Sequence, residues 1–182
     1  TMWDFPSPQA ILQIMEGSIP IVQKAALSIP LLPESDRGSK PLAGKRIAID
    51  PGHLGGTMEM ALLEGKFVRV THEGKLLEFN EGNLNLATAL VLKEKLQQQG
   101  AEVMLTREKE GYSVYGKTFQ QWLKSDFEQH LRLAVVQEFL TQKEARKLKK
   151  AGEQTIFHQF FHLWEIKERA RRINSFRPDI SL

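Results

Sequence analysis

The hydrophobic pattern along this chain changes period several times, and each change predicts an element. Ile47-Ala48-Ile49 is a short apolar run between Arg46 and Asp50, the pattern of a buried strand. It ends abruptly in the glycine-rich turn Pro51-Gly52-His53-Leu54-Gly55-Gly56. Residues 66–71 alternate apolar and polar, predicting a strand, and His72-Glu73-Gly74-Lys75 predicts a hairpin turn into a second strand at 76–79. From 83 to 99 the period becomes helical. Leu84, Ala87 and Val91 share one face, Leu86 and Leu90 widen it, and Gly100 is placed as the stop. Residues 101–107 read as the next strand. Strand, helix and strand in this order predict a βαβ unit with a parallel pair and a right-handed crossover.

Beyond residue 110 the character changes. Phe119, Trp122, Leu123, Phe127, Leu131, Ala134 and Val135 keep helical spacing over more than four turns. Thr141-Gln142-Lys143-Glu144 fits a capping box opening a new helix, with Gly152 as its end. Ile156, Phe157, Phe160, Phe161 and Trp164 make a third, aromatic-rich helical stretch. Ile166, Ala170 and Ile173 predict an amphipathic helix leading into a strand at 179–182. Ahead of all this, Pro8 suits the first turn of a helix carrying Ile11, Leu12 and Met15, and prolines 20, 30 and 33 break up the stretch after it. The prediction is an α/β domain over 45–182, with a largely parallel central sheet flanked by helices. A helical insertion at about 111–164 interrupts it, and residues 1–44 form an N-terminal extension and linker.

Composition narrows the classes without choosing one. The 41% hydrophobic and 26% charged residues are ordinary for a globular chain. The net charge of +3 is local in origin: residues 117–172 hold twelve basic and seven acidic side chains, leaving −2 elsewhere. That is weak support for a nucleic-acid partner, and none is expected. The absence of cysteine excludes disulfides and thiolate zinc sites. No apolar run approaches the roughly 20 residues that span a bilayer, so no transmembrane segment is expected. The opening residues lack the basic and apolar regions of a signal peptide. The chain stops inside a strand pattern, which leads us to expect that part of the domain lies beyond Leu182.

The chemistry concentrates at the turn after the first strand. His53 follows Asp50-Pro51-Gly52, where a lone histidine is ordinarily a turn residue. Asp50, however, is placed to accept backbone or imidazole N–H bonds, the outer support that a metal-bound histidine needs. Gly52, Gly55 and Gly56 allow the backbone to approach a ligand closely. Glu81 opens the helix at 83–99. Its plain reading is an acid favoured by the helix dipole, and its functional reading is a metal ligand that would complete half a zinc site with His53. His158 and His162 have the i, i+4 spacing of a chelating pair but lack the glutamate of His-Glu-x-x-His, and the aromatic surroundings favour surface or partly buried side chains. His72 in a turn and His130 on a charged helix read as solvated. Arg171 and Arg172 read as an exposed basic face.

Taken in order, these blocks resemble the zinc-dependent N-acetylmuramoyl-L-alanine amidases of bacterial cell-wall hydrolysis. The blocks are Asp50-Pro51-Gly52-His53-Leu54-Gly55, Glu81-Gly82-Asn83-Leu84-Asn85-Leu86, and Gly100-Ala101-Glu102-Val103-Met104-Leu105-Thr106-Arg107. Arg169-Ala170-Arg171-Arg172-Ile173-Asn174 and Asp179-Ile180-Ser181-Leu182 complete the series. The resemblance covers 45–107 and 166–182 and implies zinc held by His53 and Glu81. It also implies a third histidine ligand directly after the last strand and a catalytic glutamate further on, both expected beyond Leu182.

The implied activity is metal-assisted hydrolysis of the amide between N-acetylmuramic acid and L-alanine in peptidoglycan, in the periplasm or outside the cell. The insertion at 111–164 departs from the family pattern. Its aromatic, basic character suggests a cap that shapes access or docks a regulatory protein. One rival is a non-catalytic amidase-like domain that binds cell wall or a partner. A second is a phosphate- or nucleotide-binding domain using the glycines after Asp50, although no Gly-x-Gly-x-x-Gly or Gly-x-x-x-x-Gly-Lys pattern follows a strand.

Overall fold

A computed structural model describes residues 40–72 and 74–182. The helix expected near Pro8 lies outside the described residues. Strand β1 (Arg46–Ile49) is buried at its last three positions and forms the middle of a three-stranded sheet. It pairs in parallel with β4 (Glu102–Leu105) on one side and with β5 (Ile180–Ser181) on the other, Ile47 lying opposite Val103 and Ile180. The predicted parallel sheet is therefore present. Parallel strands need long crossovers, and between β1 and β4 the chain forms α1 (Met58–Glu64), the hairpin β2 (Phe67–His72) and β3 (Lys75–Asn80), and α2 (Glu81–Gln98). The hairpin is as predicted, but it forms its own antiparallel sheet, with Val68 opposite Phe79. The strand that β4 joins is thus β1 and not the nearer β3.

Helix α2 begins where the Asn80 side chain accepts from the Gly82 N–H at 2.9 Å. Its buried residues are Gly82, Leu86, Ala89 and Val91, a face rotated from the one centred on Leu84, Ala87 and Val91. Ile47, Ile49, Ala89, Ala101 and Leu105 form the small aliphatic core between this helix and the sheet.

The region after β4 builds a different core. The expected long helix is two, α3 (Phe119–Ser125) and α4 (Phe127–Val136), separated at Asp126, whose carboxylate holds Lys117 Nζ at 2.6 and 2.8 Å. The capping box at Thr141 and Glu144 opens α5 (Gln142–Leu148) as predicted. Gly152 does not end that helix but precedes α6 (Glu153–Ile156). A π-helical turn over Phe157–Phe161 then carries the chain straight into α7 (His162–Phe176). Phe119, Trp122, Phe157, Phe160 and Phe161 are fully buried together, joined by Leu54 from the loop after β1. Met60 and Leu63 of α1 pack against the same cluster. The insertion therefore turns its aromatic face inward.

Helix α7 overturns its amphipathic reading. Ile166 is 46% exposed and Ala170 is exposed, while the buried positions are Trp164, Glu165 and Arg169. An ion pair replaces the apolar stripe.

Candidate active site

The loop after β1 carries unfavourable backbone and is held by a dense set of polar contacts. His53 sits at φ 59°, the left-handed region, which costs a residue with a Cβ roughly 1–2 kcal/mol. Gly55, at φ 70°, presses on the start of α2, where a Cβ would come within 2.2 Å of Asn83 Oδ1. A Cβ on Gly82 would in turn meet Gly55 N at 2.4 Å, so both sides of this approach require glycine. Gly55 and Gly82 thus bring the loop backbone against α2, while Gly56 packs on the backbone of Gly111.

Two arginines and two asparagines satisfy the loop's backbone. Arg107 donates to the carbonyls of Pro51, Gly52 and Gly82 at 3.1, 3.0 and 2.9 Å, tying the loop to α2. Burial, and then the neighbouring Arg169 charge, lower its pKa to about 10, still fully charged at neutral pH. Arg169 Nη1 donates to the Pro51 carbonyl at 3.0 Å and to Asp50 at 3.1 Å. Burial opposes the Arg169 charge, but Glu165 at 2.6 Å and Asp50 outweigh it and raise its pKa. Asn83 Oδ1 accepts from Gly56 N at 2.6 Å, and Asn85 donates to the Gly52 carbonyl at 3.3 Å.

This scaffold presents His53 between two carboxylates. Its Nε2 lies 3.3 Å from Glu81 Oε1, so the pair expected from the sequence is adjacent in space. Its Nδ1 lies 3.2 Å from Glu64 Oε1. The carboxylate behind the ring is therefore Glu64 and not Asp50. Asp50 is occupied elsewhere, accepting from the Thr106 hydroxyl and from Arg169. Its own N–H donates to the Leu182 carbonyl at 2.8 Å, which brings the end of β5 to the same sheet edge as the His53 loop.

Glu64, Asn83, Asn85, Arg107 and Arg169 all escaped a site reading from sequence. The asparagines and Arg107 stand inside the quoted motifs, and that was their available signal. For Glu64 the signal was fainter: Thr57 and Gly65 bracket a short helix, and the acid is its last residue.

The remaining histidines are placed differently. His158 is exposed in the π-helical turn. His162 is half-buried; burial first, then Arg169 and His53, lower its pKa, while Glu64 and Glu165 pull it up. His130 is not solvated as expected: its Nδ1 accepts from Trp122 Nε1 at 2.7 Å, and its ring lies 4.8 Å from that of Tyr115. Arg171 and Arg172 pair with Glu168 on the surface of α7. Among the described residues no cluster of three or more histidine, aspartate or glutamate side chains is arranged to hold a metal ion.

Fold and site together define an α/β protein with a histidine–carboxylate pair at the carboxyl edge of a parallel sheet, where such folds place their ligands. A family model described as N-acetylmuramoyl-L-alanine amidase matches residues 47–182, and the chain belongs to that family. It is thus an amidase of the hydrolase class at the family level, with peptidoglycan as the fitting substrate. Neither the curated proteins nor the solved structures contain a significant match to the chain.

Proposed function

We propose that this domain hydrolyses the amide bond between N-acetylmuramic acid and L-alanine with zinc bound at His53 and Glu81, acting outside the cytoplasm on the cell wall. The observation that carries this is the 3.3 Å separation of His53 Nε2 and Glu81 Oε1. Two donors that each sit about 2.0–2.1 Å from one tetrahedral zinc are roughly 3.3 Å apart. The donor types also fit, since an imidazole nitrogen and a carboxylate oxygen are ordinary zinc ligands. Zinc bound there would supply Lewis acidity and lower the pKa of a bound water to about 7.

The protein's own part is positional. Arg107 and Arg169 hold the carbonyls of Pro51 and Gly52, the two residues that lead into His53. Glu81 stands at the first position of α2, anchored by the Asn80 cap, with its side chain 44% exposed and open to substrate. Two of the nearby carboxylates are unsuited to the general-base role. Glu64 already accepts from Leu54 and faces His53, and Asp50 from Thr106 and Arg169.

Release of stem peptide from purified peptidoglycan, with zinc content measured on the same sample, tests this reading. Chelation should abolish release and added zinc should restore it. His53→Ala and Glu81→Gln should each lower release by at least about 100-fold, in line with losing a required metal. A protein that binds no zinc, or whose release ignores chelator, overturns the proposal. The second reading is a non-catalytic domain that binds the cell wall. Cosedimentation with peptidoglycan without any release would favour it.

A further inference from the structure

We infer that Glu64 is the positioning residue for His53: it holds the ring from behind so that Nε2 is the nitrogen presented at the site. The inference rests on the zinc reading above and concerns a residue outside the proposed ligand pair. Both ring nitrogens face carboxylates, so the question is which partner is permanent. The surroundings answer it. The Glu64 side chain is 3% exposed against 44% for Glu81. Glu64 is also anchored, because both of its oxygens accept from the Leu54 N–H at 3.2 Å while Oε1 faces His53 Nδ1 at 3.2 Å. A carboxylate only accepts hydrogen bonds, so a ring nitrogen facing a buried one carries the hydrogen. Nδ1–H then points to Glu64, and the Nε2 lone pair points to the open side beside Glu81. A carboxylate on the far nitrogen of a metal-bound imidazole fixes both tautomer and ring orientation.

Two further features indicate that Glu64 serves the site and not its own helix. It is the last residue of α1, where the helix dipole disfavours a negative charge. It also grips the chain one residue past His53, at the point where the backbone is in the left-handed region. One side chain therefore restrains the ring and the strained backbone that carries it.

The test uses the full chain, with Glu64→Gln and Glu64→Ala variants and two readouts at one fixed pH. The first is nitrogen-15 NMR of the imidazole rings in metal-free protein, which reads the His53 tautomer directly. The second is zinc affinity by chelator competition. Wild type should show hydrogen on Nδ1, and both variants should lose that preference. Zinc affinity should fall about 10–100-fold, the usual effect of removing such an outer partner. Glu64→Gln keeps an acceptor for Leu54 N but removes the negative charge facing Nδ1, so its loss of affinity reports the carboxylate at the ring and not the backbone clamp. It also serves if Glu64→Ala fails to fold. Variants that bind zinc as tightly as wild type, or a wild-type ring with hydrogen on Nε2 alone, overturn the inference. Absence of zinc binding in wild type would sink the metal reading instead, while the tautomer measurement would still decide the role of Glu64.

Discussion

The two halves of this protein are held together by different physics. The sheet half has a thin aliphatic core in which Ile47, Ile49, Ala89, Ala101 and Leu105 are the buried members. Its shape depends on polar ties: two buried arginines, Asp50, and the asparagines of α2. The helical half has almost the reverse arrangement. Its buried cluster is dominated by Phe119, Trp122, Phe157, Phe160 and Phe161, with ring centroids 4.7 Å apart for the Trp122–Phe161 pair. Apolar area supplies most of the stabilisation there, at roughly 25 cal/mol per Å² buried. The chemistry belongs to the polar half, where directional bonds can fix one side chain to within a fraction of an ångström. The loop after β1 lies on the seam: Leu54 is buried in the aromatic core while its neighbour His53 faces the site.

The most severe way to break this contrast is Trp122→Ala. Trp122 is 0% exposed, and its ring packs on Phe119, Phe127, Phe160 and Phe161, none of which belongs to the site. The expected loss is about 3–5 kcal/mol in urea unfolding, the usual result of emptying a buried aromatic position. At the zinc site proposed above, affinity in the protein that remains folded should not change. If affinity falls in step with stability, the two halves are energetically coupled and the contrast between them fails.

Glu165→Gln attacks the tie between them. Glu165 accepts from the Val114 N–H at 3.0 Å and pairs with Arg169, which reaches across to Asp50 and Pro51. Glutamine keeps an acceptor for Val114 but leaves a buried guanidinium with less counter-charge. A loss of about 3 kcal/mol is expected, the low end for breaking a buried pair. Replacing both partners, Glu165→Gln with Arg169→Met, should be less costly than the single change, because no unpaired charge stays buried and Val114 N–H keeps its acceptor. A double variant less stable than the single one would show that the Arg169 contacts to the loop outweigh the ion pair.

That ion pair also marks the limit of what the sequence revealed. The strands, the hairpin, α2 and the adjacency of His53 and Glu81 were readable because each rests on a local period or on a motif whose spacing the fold preserves. The apolar spacing of residues 119–135 runs on unbroken and predicts one helix. Asp126, captured by Lys117, interrupts the backbone without disturbing that spacing. Helix α7 departs from its apolar pattern for the opposite reason. Periodicity assumes that the inward face is apolar, and here Glu165 and Arg169 occupy it while Ile166 faces solvent. Asp50 was expected behind His53 because it is near in sequence. The carboxylate that arrives there, Glu64, is carried by a short helix whose pattern was too brief to register.

The smallest expected effect is a pH dependence in the helical half. His130 Nδ1 accepts from Trp122 Nε1, and a protonated ring cannot accept that bond. Burial lowers the His130 pKa, and Lys117 adds to the lowering, while Asp126 and Glu168 oppose it without reversing it. With the folded value below the ordinary 6.5 or so, the unfolded chain binds the proton more readily in the interval between the two. This contribution to stability is therefore complete above about pH 6.5 and is lost as pH falls through the lower folded value. The His162 pKa is lowered as well, so wild type alone is ambiguous. His130→Gln retains an acceptor for Trp122 but does not titrate. The difference in melting temperature between wild type and this variant should shrink or reverse on acidification and stay level above about pH 7. A difference that is constant across the whole range would remove the pH dependence from His130 and the aromatic core.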